Sequence, residues 1–259
     1  MNKGISFYFG YNTDCKIRAN LIKKCGFDCV ITNADKRYNK QSGSINRQIK
    51  LFKKEGLKLS SLHMSYKEEE LPEFFKDNQT GKKIEKRIIK DLYLAKKYHF
   101  NCVVVHLNGQ SSEIGFNRLR KILKTCEKLD IPIAIENLEN QKLFVEVFQR
   151  IDNKYMKFCY DCGHNNCFDP DFDYLEKYGD KLICLHLHDN KGDKDSHTLN
   201  KYGNIDWDKL AKKLSKCNEV NLDYELLMHE KNKENQEEIL MQCINQAREL
   251  EEKILAYRN

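Results

Sequence analysis

Proline is scarce in this chain of 259 residues: Pro72, Pro132 and Pro170 are the only three, and no Ser/Gly-rich or Pro-rich linker interrupts it. Chains usually divide at such linkers, so their absence points to one continuous domain over residues 1–259. Long apolar runs are missing too. Cys102–Val105 and Ile131–Ile135 are typical, far short of the ~20 apolar residues that a membrane helix needs, so no membrane association is expected. The opening MNKGISFYFG lacks the long apolar segment and cleavage site of a signal peptide. No GxGxxG follows the first strand-like run and no GxxxxGK[ST] occurs anywhere, which removes the common nucleotide-phosphate cradles. GxSxG is absent, and with it the nucleophile elbow of a serine hydrolase.

Cysteine, by contrast, is plentiful. Eleven are scattered from Cys15 to Cys243, an odd number spread too thinly for a disulfide framework, and they read as free thiols of a cytoplasmic protein. Cys159, Cys162 and Cys167 have C-x2-C-x4-C spacing without a convincing fourth ligand, and read as core and loop packing. The net charge of +6 comes from 45 basic against 39 acidic residues, largely as Lys pairs inside helical patterns, such as Lys23–Lys24 and Lys96–Lys97. Solvated helix faces account for it better than a nucleic-acid groove.

Short β-like runs recur, each followed by a longer segment with helical spacing. The runs are Ile5–Phe9, Cys29–Thr32, Leu57–His63, Asn101–His106, Ile131–Glu136, Met156–Asp161, Leu182–His188 and Val220–Glu225. In Lys83–His99, the residues Ile84, Ile88, Leu92 and Ala95 share one helical face; in Glu230–Arg258, Leu240, Ile244, Ala247, Leu250 and Ile254 do so. A repeat of about 31 residues, alternating β and α eight times, predicts a closed (β/α)8 TIM barrel.

A barrel of this kind places its chemistry at the C-terminal ends of the strands. Six of the eight histidines fall there. His63 and His106 end the third and fourth runs, His164 follows the sixth, His186 and His188 close the seventh, and His197 lies in the loop beyond. Glu136, Asp161 and Glu225 end the fifth, sixth and eighth runs, and Asp195 precedes His197 in a D-x-H pair. Imidazoles and carboxylates gathered at one level suit a divalent metal such as Zn2+, Mn2+, Co2+ or Mg2+, whereas bare carboxylates held together would repel one another. Side-chain alternation turns the residue two before each ligand inward as well: Ser61, Ala134, Cys159 and Cys184 are small, Val104 and Asp223 are not. His99 follows a Lys-rich helix and reads as a surface or C-cap residue, and His229–Glu230 begins an HExx pattern that Lys233 breaks.

The stretches IAIENL, YDCGH and HLHDNKGDKDSHTLNKYGNIDW resemble those of the xylose isomerase-like TIM barrels, a superfamily of sugar and sugar-phosphate isomerases and epimerases that also holds the endonuclease IV class of abasic-site nucleases. The resemblance implies a metal held by Glu136, Asp161, His186 and Glu225, the first and last also serving as catalytic base and acid. It further implies that His63, His106, His164, Asp195 and His197 match the additional zinc ligands of the nuclease class, for one to three ions in all. His164, His188, Tyr66 and Trp207 are implied to contact substrate, with Lys191 or Lys194 near any phosphate.

Two activities follow from the resemblance: a metal-dependent isomerase or epimerase of a small-molecule sugar or sugar phosphate, and a phosphodiesterase cutting DNA at abasic sites. The chain departs from the nuclease pattern in HLNG and ENLENQ, and its Glu68–Glu69–Glu70 would repel a phosphate backbone if it faced one. It departs from the epimerases in KGDKD, where they carry an Arg. A barrel that only binds sugar would need no carboxylate pair across its pocket. The oligomeric state, homo-oligomer included, is left open.

Overall fold

The computed structural model describes residues 1–38, 42–228 and 235–258. Eight strands run parallel: β1 (Lys3–Ser6), β2 (Cys29–Asn33), β3 (Lys58–His63), β4 (Cys102–Val105), β5 (Ile133–Glu136), β6 (Met156–Asp161), β7 (Leu182–His186) and β8 (Leu222–Tyr224). Their order, β7-β6-β5-β4-β3-β2-β1-β8, is that of a barrel opened at one seam. At this seam Leu187 bridges Tyr224 in parallel fashion. Leu187 N donates to Asp223 O at 2.9 Å, and Glu225 N donates to Leu187 O at 3.0 Å. The eight-unit TIM barrel expected from the repeat is therefore present, nearly closed.

The helices outside the ring are α1 (Cys15–Lys24), α2 (Ile45–Glu55), α3 (Gln79–Tyr98), α4 (Glu113–Leu129), α5 (Gln141–Arg150), α6 (Cys162–Phe168), α7 (Tyr174–Tyr178), α8 (Trp207–Leu214) and α9 (Gln236–Arg258). In α3 and α9 the expected apolar stripes are buried, from Ile84 to Ala95 and from Leu240 to Ile254. α3 begins four residues earlier than its stripe suggests, because the Asn78 side chain accepts from Gly81 N at 2.8 Å and satisfies a free helix end. His99 ends it at φ 64, the left-handed conformation of a helix C-cap. The expected start of α9 at Glu230, and His229 with it, lie outside the described residues.

Alternation along the strands divides the interior in two. Val103 and Val105 of β4 join the large core between strands and helices, while Cys102 and Val104 point into the barrel with Ala134, Cys159 and Cys184. Ser61 and Asp223 are buried. Gly4 makes room for Asp223: a Cβ there would stand 1.8 Å from its Oδ1. The β2–β3 register shifts between Val30 and Thr32, so Leu59 and Leu62 oppose them and the intervening turn of β3 carries an extra residue. His63 then ends β3 buried.

Candidate metal centre

At the C-terminal rim, four elements bring Glu136, Asp161, His186 and Glu225 together, with one ligand-type atom of each within 4.8 Å of the others. His186 Nδ1 lies 3.2 Å from Glu136 Oε2 and 3.1 Å from Glu225 Oε2, and 4.0 Å from Asp161 Oδ2. Asp161 is fixed twice over. It ends β6 and is the N-cap of α6, where its Oδ1 accepts from His164 N at 2.7 Å. Because that cap starts the helix at once, His164 on its first turn is carried back over the rim.

Two further clusters flank this one. His63 Nε2 and His106 Nε2 lie 3.0 Å apart, and His106 Nε2 stands 2.9 Å from Glu136 Oε2. On the other side, Asp195 Oδ2 is 3.3 Å from His164 Nε2 and 2.9 Å from His197 Nε2. His197 adopts φ 46, a conformation that costs a non-glycine residue about 1–3 kcal/mol, and its Nδ1 is 2.8 Å from Glu225 O. Contacts of that ring hold the strained turn in place. Glu136 belongs to both the His63/His106 cluster and the centre, and His164 Nδ1 lies 3.3 Å from Glu136 Oε1, so the three sets adjoin.

Charge in this row is mutually supported. Burial disfavours the Glu136 carboxylate, but the His186 and His106 imidazoles outweigh it and hold the carboxyl well below its usual range. Burial likewise opposes charge on His186, and Glu225 and Glu136 overcome it, raising the imidazole well above its usual value. In the touching pair, burial pulls His106 down, whereas Glu136 lifts His63 despite burial. His197, paired with Asp195, is raised to about 9 against the effect of burial.

The donor set fits a divalent cation. Three carboxylates and one imidazole converge, and the Nδ1 of the fully buried His186 ring lies close to two carboxylate oxygens without hydrogen-bond geometry to either. A buried polar atom left so is costly, and a cation in reach of these donors would satisfy it. Above the ring opens a cavity of about 720 Å3, reached by Ser6, Thr32, Asn33 and Gln48 on one wall and by His63, Tyr66, His106 and Phe168 on another.

Residues 19–250 match the family described as "Xylose isomerase-like TIM barrel". The chain belongs to the xylose isomerase-like TIM barrel family. Among curated relatives, the "Uncharacterized protein y4fM" of Sinorhizobium fredii is 38% identical over 100 residues, which is 36% of this chain and 32% of that protein. The chain thus matches about a third of that relative's length. Among solved structures, a D-tagatose 3-epimerase-like protein superposes with a TM-score of 0.78 at 18% identity, covering 99% of this chain and 98% of its own. The IOLI protein with a bound zinc atom does so at 0.75 and 17% identity, covering 99% of both chains. At these identities the likeness is one of fold.

Within this family fold, several residues stand elsewhere than the sequence suggested. Trp207 is absent from the cavity wall: its Nε1 donates to Asp189 Oδ2 at 2.6 Å and its ring stacks on Tyr224 at 6.1 Å. Lys191 is exposed on the loop and does not line the cavity. His188 is fully buried, its Nε2 3.0 and 3.1 Å from the two oxygens of Asp161, so it faces that carboxylate rather than the cavity. Of the three glutamates, only Glu68 reaches the cavity; Glu70 turns to Arg87 at 2.5 Å and Lys67 at 3.2 Å. Tyr66 does line it, 4.5 Å from the His106 ring.

Two supports went unnoticed in the sequence. Asn137 clamps Asp161 from both sides, its Nδ2 donating to Asp161 O and its Oδ1 accepting from Asp161 N, each at 2.8 Å. Asp189 gathers the Asp193–Asp206 loop through Asn204 N, Ile205 N and Trp207. The Asn of IAIENL and the Asp of HLHDN were the visible signals.

Proposed function

We propose that this protein is a metal-dependent isomerase or epimerase that moves a proton next to the carbonyl of a small neutral sugar. The observation that carries the reading is the pair Glu136 and Glu225, which line the cavity and reach one His186 nitrogen from β5 and from the end of β8. Glu136, Asp161, His186 and Glu225 would hold the cation, which supplies polarisation of a carbonyl and its neighbouring hydroxyl when bound. Glu136 and Glu225 then serve as base and acid at the carbon between those oxygens, one removing a proton and the other returning it. Tyr66 and His164 border the same space and orient the sugar.

A neutral sugar is favoured over a sugar phosphate. Among the described residues lining the cavity there is no Lys or Arg, while Glu68 and Glu139 stand at it. A dianionic phosphate would meet these carboxylates there and neither a guanidinium nor an ammonium group.

A second reading, hydrolysis of a phosphoester such as that at an abasic DNA site, is favoured by the two flanking clusters His63/His106/Glu136 and His164/Asp195/His197, since rows of metal donors suit phosphoryl chemistry. One experiment separates the two. Metal-loaded protein in D2O is incubated with a panel of ketoses and, separately, with an abasic duplex. We expect deuterium at a carbon adjacent to the carbonyl, abolished in Glu225→Gln to a greater extent than metal binding is weakened. Nicking of the duplex at catalytic protein levels, falling as salt rises and with no carbon exchange, would replace this reading with the second.

A further inference from the structure

Directly beneath the carboxylate ring the barrel interior is lined with sulfur. Cys102 on β4, Cys159 on β6 and Cys184 on β7 are each at most 2% exposed and pack with Val104 and Ala134 in a cluster distinct from the outer core. Cys159 and Cys184 are register partners on adjacent strands, at a point where the β6–β7 register shifts between Phe158 and Cys159. Their two sulfurs and a ring nitrogen of His186 lie within 4.8 Å of one another. Cys102 of β4 belongs to the same interior cluster. The His186 ring is fully buried: its Nδ1 faces the carboxylates of Glu136 and Glu225, and its Nε2 has no hydrogen-bond partner.

Packing alone needs only small apolar groups here, and Ala134 and Val104 meet that need on neighbouring strands. Two sulfurs converging on a buried imidazole go further. Soft thiolate donors with one imidazole select Zn2+, Cd2+ or Cu+ over the hard ions that oxygen ligands favour.

We propose that Cys159, Cys184 and His186, with Cys102 alongside, form a second, thiolate-rich site for a thiophilic d10 cation inside the barrel, and that it competes with the oxygen-rich centre above for His186. On binding, the S–H bonds of Cys159 and Cys184 break, two sulfur–metal bonds form, and two protons leave to solvent with no change of oxidation state. Since His186 is a member of both donor sets, a soft cation held below withdraws an imidazole from the row above. The inference stands whether or not the upper centre moves protons at carbon.

The test uses the full-length protein equilibrated with Cd2+ and read by ultraviolet sulfur-to-cadmium charge-transfer absorption and by metal count in native mass spectrometry. Wild-type protein should show the band, and Asp161→Asn/Glu225→Gln protein, which keeps every thiol, should show it undiminished. Cys159→Ser/Cys184→Ser should lose the band and one cadmium. Mn2+ binding at the upper centre, followed by electron paramagnetic resonance, should weaken on the order of tenfold or more in Cd2+-loaded wild-type protein. No charge-transfer band in either the wild type or the carboxylate variant would overturn the site, even if the double-serine protein failed to fold. A band with unchanged Mn2+ affinity would overturn the competition for His186.

Discussion

His188 shows how much of the centre is built by side chains that never reach the cavity. Its Nε2 spans both oxygens of Asp161, its ring stacks on His197 at 3.9 Å, and Gly163 leaves it room, since a Cβ there would stand 1.9 Å from its Cε1. An imidazole that fixes a ligating carboxylate sets the direction of its lone pairs, and losing such a partner typically costs 10–100-fold in metal affinity. His188→Ala is therefore expected to weaken Zn2+ binding by on the order of tenfold or more, measured by competition with a chromogenic chelator, without unfolding the barrel. Unchanged affinity would remove His188 from the metal centre. This residue also marks the limit of a sequence reading. The H-x-H spacing puts both histidines on the same side of the chain, but parity cannot tell which atom each will meet. Trp207 failed for a related reason: an indole is as readily recruited by a buried carboxylate, here Asp189, as by a substrate face.

At the scale of elements, α3 is tied to the end of β3 through Asp91, a buried carboxylate that accepts from Ser65 N at 2.8 Å. Burial, only partly offset by that hydrogen bond, pushes its carboxyl from an ordinary 3.8 up to about 6. A carboxyl raised in the folded state binds its proton more tightly there than in the unfolded chain. Its contribution to stability therefore falls as pH rises from about 4 to about 6 and is absent above that window. Two units correspond to roughly 3 kcal/mol. Asp91→Asn keeps an oxygen acceptor for Ser65 without the charge, so it should gain on the wild type by up to about that amount between pH 4 and pH 7 in urea titrations. A wild-type-minus-variant difference independent of pH would refute the assignment. The elements themselves were readable because β6, for example, is the run MKFCYD, apolar apart from Lys157 and its terminal Asp161, just as its sequence reads. The Asn78 cap and the irregular registers of β3 and β7 were not, because a bulge depends on the neighbouring strand, which a run of residues does not name.

For the whole molecule, the seam between β7 and β8 is the weakest part of the ring. Its neighbours are joined by ladders of several register partners, whereas Leu187 bridges Tyr224 alone. The chain ends reinforce the adjoining arc: β1 pairs with β8, and the Met1 ammonium lies 2.6 Å from Glu251 of α9. Across the seam itself stand His186 at the end of β7 and Glu225 just past β8, both within the four-donor centre. A cation held by the pair would staple the barrel shut, and opening the seam would require releasing it. Ligand at a hundredfold excess over its dissociation constant stabilises the bound state by about 2.7 kcal/mol, which is close to a hundredfold slower opening-limited exchange. Amide hydrogen exchange followed by mass spectrometry should thus show Zn2+ slowing peptides that contain Leu187 and Glu225 by up to about that factor. Peptides of β2, which contributes no ligand, should change far less. Equal protection of β2, or none at the seam, would mean that metal binding and barrel closure are independent.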